Sequence, residues 1–211
     1  MTIAQKIAQI LLKKQAVKIS VDPPFTWTSG LKSPIYCDNR LLISYPQERQ
    51  KILDGFKQLI NDHHLEFDVL GGTATAAIPW AAFLAHELNV PMVYIRPKPK
   101  SHGAGKQVEG TMEKGARVLI VEDLFSTGGS SIKSAEACVR EYEAEVVGVM
   151  AIFSYQMKKC VEAFAESGLK NFVLSDFPTL VQELEMSDEQ KVLISQFSKD
   201  PEGWWEKFNK N

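Results

Sequence analysis

Glu122 and Asp123, followed closely by Ser126, Thr127, Gly128, Gly129, Ser130 and Ser131, form the run whose side chains point most directly to chemistry. Hydroxyls and glycines ahead of a helix form a nest for phosphate, because the first N–H groups of a helix lack intrahelical partners and attract anions. Glycine lets the backbone fold into that concave shape, and the hydroxyls add donors. Two carboxylates are unsuited to gripping phosphate. They suit a pair of vicinal hydroxyls or a Mg²⁺ ion, so the implied ligand is a phosphorylated sugar. Two other readings stay open for the same run: a receiver-type metal site at a strand end, and a plain Gly-Gly turn. A Walker A loop is excluded because no Lys follows Gly129, and the dinucleotide fingerprint GxGxxG is absent.

Hydrophobic period gives the secondary structure around this run. Val118 to Val121 is a β-branched apolar stretch fit for a buried strand, and helical spacing begins at Ile132. The acids therefore fall at the carboxyl end of a strand, and the hydroxyl loop falls in the turn before a helix that runs to about 142. Elsewhere the pattern predicts an amphipathic helix over about 3–17 with Thr2 as N-cap, and a helix over about 46–64 opened by Pro46. FDVLGG, PMVYIRP, EVVGVMAIFSY and NFVLSD read as strands, and TATAAIPWAAFLAHEL as a small-residue loop entering a helix. Residues 156–168 have helical spacing, and capped helical pieces follow from Ser187, with Trp204 and Trp205 docking the tail on the core. The stretch DPPFTWTSGLKSPIYCDNR reads as loop plus short strand. Residues about 97–111, rich in Lys and Gly, form the candidate mobile loop.

Alternating strands and helices over 211 residues with 45% hydrophobic composition give one α/β domain spanning 1–211. Its central sheet is expected to be mostly parallel and flanked by helices, with a small hood built from about 1–45 and C-terminal pieces. A net charge of −2 supplies no basic field for nucleic acid. No apolar run is long enough to span a bilayer, and the N-terminus lacks the continuous apolar core of a signal peptide. Cys37, Cys138 and Cys160 show no CxxC spacing, which fits reduced, buried thiols in a cytoplasmic protein. His63, His64 and His86 lie in helical patterns without a second ligand at metal spacing, so packing or surface roles are expected.

VLIVEDLFSTGGSS is similar to the PRPP (5-phosphoribosyl diphosphate) binding motif of the type I phosphoribosyltransferases. Three further stretches support the resemblance: FTWTSGLKSPIYCDNR at 25–40, GGTATAAIPWA at 71–81 and RPKPKSHGAGKQVEG at 96–110. Together they cover most of 20–155 in that family's order, and the SG–x–KSPIY–x–DNR segment points to orotate as the acceptor base. The resemblance implies that Glu122 and Asp123 hold the ribose hydroxyls of PRPP. It assigns the 5′-phosphate to Ser126, Thr127, Gly128, Gly129 and Ser130, counts Leu124 and Phe125 among the PRPP-binding residues, and has Ser126 also touch orotate. Arg96, Lys100 and His102 are assigned to the pyrophosphate, reaching the neighbouring subunit's site in a homodimer. Lys100 and His102 act as the catalytic electrostatic and proton-donating groups. Gly71 to Thr75 form a second pyrophosphate-facing loop, and Mg²⁺ is held mainly by PRPP rather than by a dedicated protein ligand.

The chain departs from the family pattern at three positions. Thr28 stands where many members carry a Lys, Tyr155 where many carry an Arg, and Pro97 where a Lys is common. The first two losses remove cations suited to the orotate carboxylate. Lys32 or Arg40 is the expected replacement, and Tyr36 is a candidate to stack on the ring. Rival functions are transfer to another nucleobase and PRPP sensing by a nucleic-acid-binding regulator. The chain has neither the spare length nor the positive charge for the regulator.

Overall fold

Thr2 starts the first helix because its hydroxyl accepts the Gln5 N–H at 3.2 Å while Gln5 Oε1 accepts the Thr2 N–H at 2.9 Å, satisfying two otherwise orphaned donors. In this computed structural model, which describes residues 1–99 and 105–208, that helix, α1, spans Ile3–Lys13 and buries Ile7, Ala8 and Leu11. It stops short of position 17 because Val17–Ile19 is strand β1. Strands β2 (Phe25–Thr26), β3 (Lys32–Ser33) and β4 (Ile35–Cys37) come next, and two antiparallel ribbons result: β1 with β4, and β2 with β3. Strands this short carry no period to read, which is why this region read as loop plus one strand. A 3-10 helix, Asn39–Ser44, leads into α2 (Pro46–Asp62), with Pro46 in its first turn as predicted.

The sheet strands are β5 (Val69–Thr73), β6 (Met92–Ile95), β7 (Val108–Glu109), β8 (Arg117–Phe125), β9 (Glu145–Ser154) and β10 (Asn171–Asp176). They lie in the order β10-β9-β8-β5-β6-β7, and only the β6–β7 pair is antiparallel. Helix α3 (Ile78–Leu88) carries the chain from β5 out to β6, while α4 (Gly129–Tyr142) carries it from β8 the opposite way to β9. Right-handed crossovers in opposite directions place these helices on opposite faces. Adjacent β5 and β8 thus form a topological switch point, and ligand crevices open at the carboxyl ends of such strands. Val118 to Val121 are fully buried, each such side chain contributing about 1.5–3 kcal/mol, so β8 is a rigid base for the turn at its carboxyl end.

Helix α5 (Lys158–Ser167) packs on α4, and α6 (Phe177–Gln182), α7 (Asp188–Lys199) and α8 (Trp204–Phe208) complete the chain. Trp204 does dock the tail: it is buried, and its Nε1 donates to the Leu193 carbonyl at 2.9 Å. Helix α1 packs against β10 and α6, β3 packs against α8, and Trp27 meets Phe197 of α7. The loop expected over about 97–111 is narrower at its far side. Val108–Glu109 pairs with Tyr94–Ile95, and the Glu141 carboxylate accepts the Gln107 and Val108 N–H groups at 2.9 and 3.1 Å. Gln107 is fixed further by donating to the Arg96 carbonyl and accepting from Arg140 Nη2. All three cysteines are unpaired and buried. No helix among the described residues is long and apolar enough to cross a membrane.

Candidate active site

Strand β8 continues to Phe125, past the acids, so Glu122 and Asp123 lie inside it, with Glu122 opposite Ala151 of β9. Glu122 is 4% exposed and accepts hydrogen bonds from the Ser130 and Ser131 hydroxyls at 3.0 and 3.3 Å. Burial, then the charge of Asp123, pushes the Glu122 carboxyl up to about 8, and burial raises Asp123 as well. Burial of the two adjacent carboxyls and their mutual repulsion thus favour keeping a proton within the pair near neutrality. The main chain of the pair is fixed by buried Asn39, whose Nδ2 donates to the Asp123 carbonyl at 2.6 Å.

After Phe125 the chain turns through Gly128, whose φ of +78° is a left-handed conformation that favours glycine. A Cβ there would stand 3.2 Å from the Phe164 ring, so both backbone and neighbour demand its absence. No side chain caps α4, leaving its first N–H groups for an anion. Thr127 and Ser130 are exposed at the mouth of this turn. On the neighbouring strand, Gly71 and Gly72 lie within β5 rather than in a loop. A Cβ on Gly72 would be 3.0 Å from that of Ala81, so its glycine admits α3 to the sheet, a packing reason in place of ligand approach.

A cavity of about 820 Å³ opens beside the turn, and Leu124, Ser126 and Thr127 form one side of it. Trp27, Tyr36 and Tyr155 give it aromatic walls. Trp27 is held by Tyr155 at 5.0 Å between centroids, by Phe197 of α7 at 5.7 Å, and by its Nε1 donating to the Ile35 carbonyl. Tyr155 Oη accepts the Cys37 N–H at 3.1 Å, tying β4 to the end of β9. Burial pushes both the Tyr155 phenol and the Cys37 thiol well above their ordinary ranges, so neither group exchanges protons near neutrality.

The structure separates the sequence candidates. Glu122, Asp123 and the turn from Leu124 to Ser130 are brought together as expected, and Ser126 and Tyr36 line the cavity. Lys32 and Arg40 do not line it. Lys32 Nζ donates to Thr26 Oγ1 at 2.7 Å, and Arg40 makes a two-pronged pair with Asp38 at 2.6 and 2.8 Å. Local partners in the ribbon and the 3-10 turn hold both cations. Arg96 directly follows β6, its Nη1 buried 3.6 Å from Glu109 Oε1 with no hydrogen-bond partner among the described residues. Lys100 and His102 lie outside the described residues. Sequence reasoning missed Asn39, Trp27 and the lysines Lys158, Lys159 and Lys199 on the cavity wall. The DNR string was the available signal for Asn39. Among the described residues no cluster of three or more His, Cys, Asp or Glu is placed to hold a metal. Two carboxylates beside an anion nest fit a cation brought on a ligand's own oxygens.

A family model described as the phosphoribosyl transferase domain matches residues 45–173. The chain is 46% identical to the orotate phosphoribosyltransferase of Streptococcus pneumoniae (strain G54), over 98% of this chain and all of that protein. It is 45% identical to the orotate phosphoribosyltransferase of Cutibacterium acnes, over 96% of this chain and 95% of that one. The crystal structure of orotate phosphoribosyltransferase from Aeropyrum pernix superposes with a TM-score of 0.74 at 30% identity, covering 84% of this chain and 97% of the other.

Proposed function

The chain belongs to the orotate phosphoribosyltransferase family, and from that membership we infer that it transfers the 5-phosphoribosyl group of PRPP to orotate, giving orotidine 5′-monophosphate and pyrophosphate in pyrimidine nucleotide synthesis. One observation carries the reading onto this chain's own residues: the anion nest after β8 and the aromatic walls at Trp27, Tyr36 and Tyr155 open into the same cavity. A sugar seated at Glu122 and Asp123 is thereby presented to a flat base across one continuous space.

In the reaction the bond from the anomeric carbon to the pyrophosphate oxygen breaks, the orotate ring nitrogen takes that carbon, and the nitrogen's proton is released. Positive charge builds on the ribose and negative charge on the leaving group, so electrostatic stabilisation is the main requirement. In the proposed site Asp123, with Glu122, accepts hydrogen bonds from the ribose diol. The α4 N-terminus with Ser126, Thr127 and Ser130 holds the 5′-phosphate. Arg96 serves the pyrophosphate. Lys100 and His102 are assigned there by family likeness, acting across a homodimer and excluding water on closure. Mg²⁺ carried on the diphosphate oxygens would neutralise charge on the leaving group. The unpaired thiols fit a cytoplasmic setting.

The decisive assay mixes the protein with PRPP and orotate, with and without Mg²⁺, and follows orotate consumption and pyrophosphate release together. One-to-one stoichiometry that needs Mg²⁺ is expected. Pyrophosphate release that ignores orotate, or that prefers another base, would sink the assignment.

A further inference from the structure

Orotate brings a carboxylate into a cavity whose walls are largely aromatic and aliphatic, and a buried or half-buried anion needs a counter-charge. The cations on the cavity wall are Lys158, Lys159 and Lys199. Two of them are already matched: Lys158 Nζ stands 3.6 Å from Glu162, and Lys159 Nζ donates to Glu202 at 2.9 Å. The wall's other carboxylate, Asp200, accepts from Lys207 Nζ at 2.7 Å and from the Gly203 N–H at 3.0 Å. Lys199 Nζ has no hydrogen-bond or ion-pair partner among the described residues.

Its backbone is nonetheless well placed. Lys199 closes α7 two residues after Phe197, which is fully buried between Trp27 at 5.7 Å and Trp204 at 6.0 Å. The aromatic wall of the cavity and the turn that carries Lys199 are therefore one packed unit. A lysine head on a long stem can swing over that wall while the stem lies along it.

We propose that Lys199 is the residue that grips the orotate carboxylate and so selects a carboxylated pyrimidine. This rests on the cavity being the base site of an orotate phosphoribosyltransferase. It replaces Lys32 and Arg40, and it gives the C-terminal segment a part in substrate choice.

Steady-state kinetics on the full-length enzyme test it. Lys199→Met should raise the KM for orotate roughly 5- to 30-fold, the range for losing one charge-assisted contact at a partly exposed site. The KM for PRPP should stay within about twofold, since the lost contact lies on the base side. Lys199→Arg should restore most of the orotate affinity. Added salt should raise the orotate KM of the unaltered enzyme more than that of Lys199→Met, because an exposed ion pair is screened. An orotate KM in Lys199→Met within about twofold of the unaltered value overturns the proposal, as does a rise that appears only in Lys158→Met. A protein that releases no pyrophosphate with orotate and PRPP would overturn the parent reading, and this one with it.

Discussion

The proposed phosphate side and the proposed base side of the cavity are built in opposite ways. The phosphate side is mainly one continuous run, β8 into Gly128 into α4: the hydroxyls on Glu122 come from residues at most nine positions away, and Asn39 joins the pair from outside the run. The base side joins Trp27 and Tyr36 from two small ribbons, Tyr155 from the end of β9 and Lys199 from α7. In the proposed site the chemistry at the sugar thus rests on a central strand of the sheet whose residues from Val118 to Glu122 are all buried. The proposed base site rests on peripheral pieces that touch one another through single rings and single hydrogen bonds. Substitution should be punishing on the first side and graded on the second.

The sharpest way to break that contrast is Asp123→Asn. It keeps the shape and removes the charge facing the ribose, so kcat/KM for PRPP should fall on the order of 100- to 1,000-fold with little change in melting temperature. A loss under about tenfold would show that the acidic pair is not where catalysis is concentrated.

A middle-sized effect comes from pH. The folded Glu122 carboxyl is raised to about 8, above its ordinary range, so the folded state binds the extra proton between roughly pH 4.5 and 8, and that stabilisation is lost as pH rises through this window. Deprotonation also readies the pair to accept hydrogen bonds from a diol. The affinity for PRPP should accordingly rise up to about tenfold from pH 7 to 9, above the range where phosphates titrate. Glu122→Gln should flatten the profile when affinity is measured by calorimetry, and an unchanged slope would count against the pair.

The smallest effect expected is on the base side. Tyr155→Phe deletes the acceptor for the Cys37 N–H, a loss of about 1 kcal/mol, and loosens β4 against β9. The KM for orotate should rise about 3- to 5-fold while kinetics in PRPP hold steady. A larger effect on PRPP than on orotate would erase the distinction between the two sides.

The same contrast governs what could be read in advance. Val118 to Val121, the acids and the Gly/Ser/Thr turn announce strand, cradle and helix in order, and the structure keeps that order while extending β8 to Phe125. The capped ends at Thr2 and Ser187 were equally legible, since capping is a local code. That Lys32 and Arg40 stand off the cavity wall could not be read, because their nearest partners, Thr26 and Asp38, depend on a two-residue ribbon and a 3-10 turn that no period reveals. Lys199 is distant in sequence from every recognisable motif, and only folding brings it to the cavity. The six-residue α6 was unread for its brevity.

The grip of Glu141 on the Gln107 and Val108 N–H groups has a mechanical corollary. Helix α4 behaves as a rod about 20 Å long, with the anion nest at its front end and the edge hairpin bolted to its rear. Neither end can shift along the rod's axis without carrying the other, so the footing of the Arg96 segment and the proposed seat of the phosphate share one frame of reference.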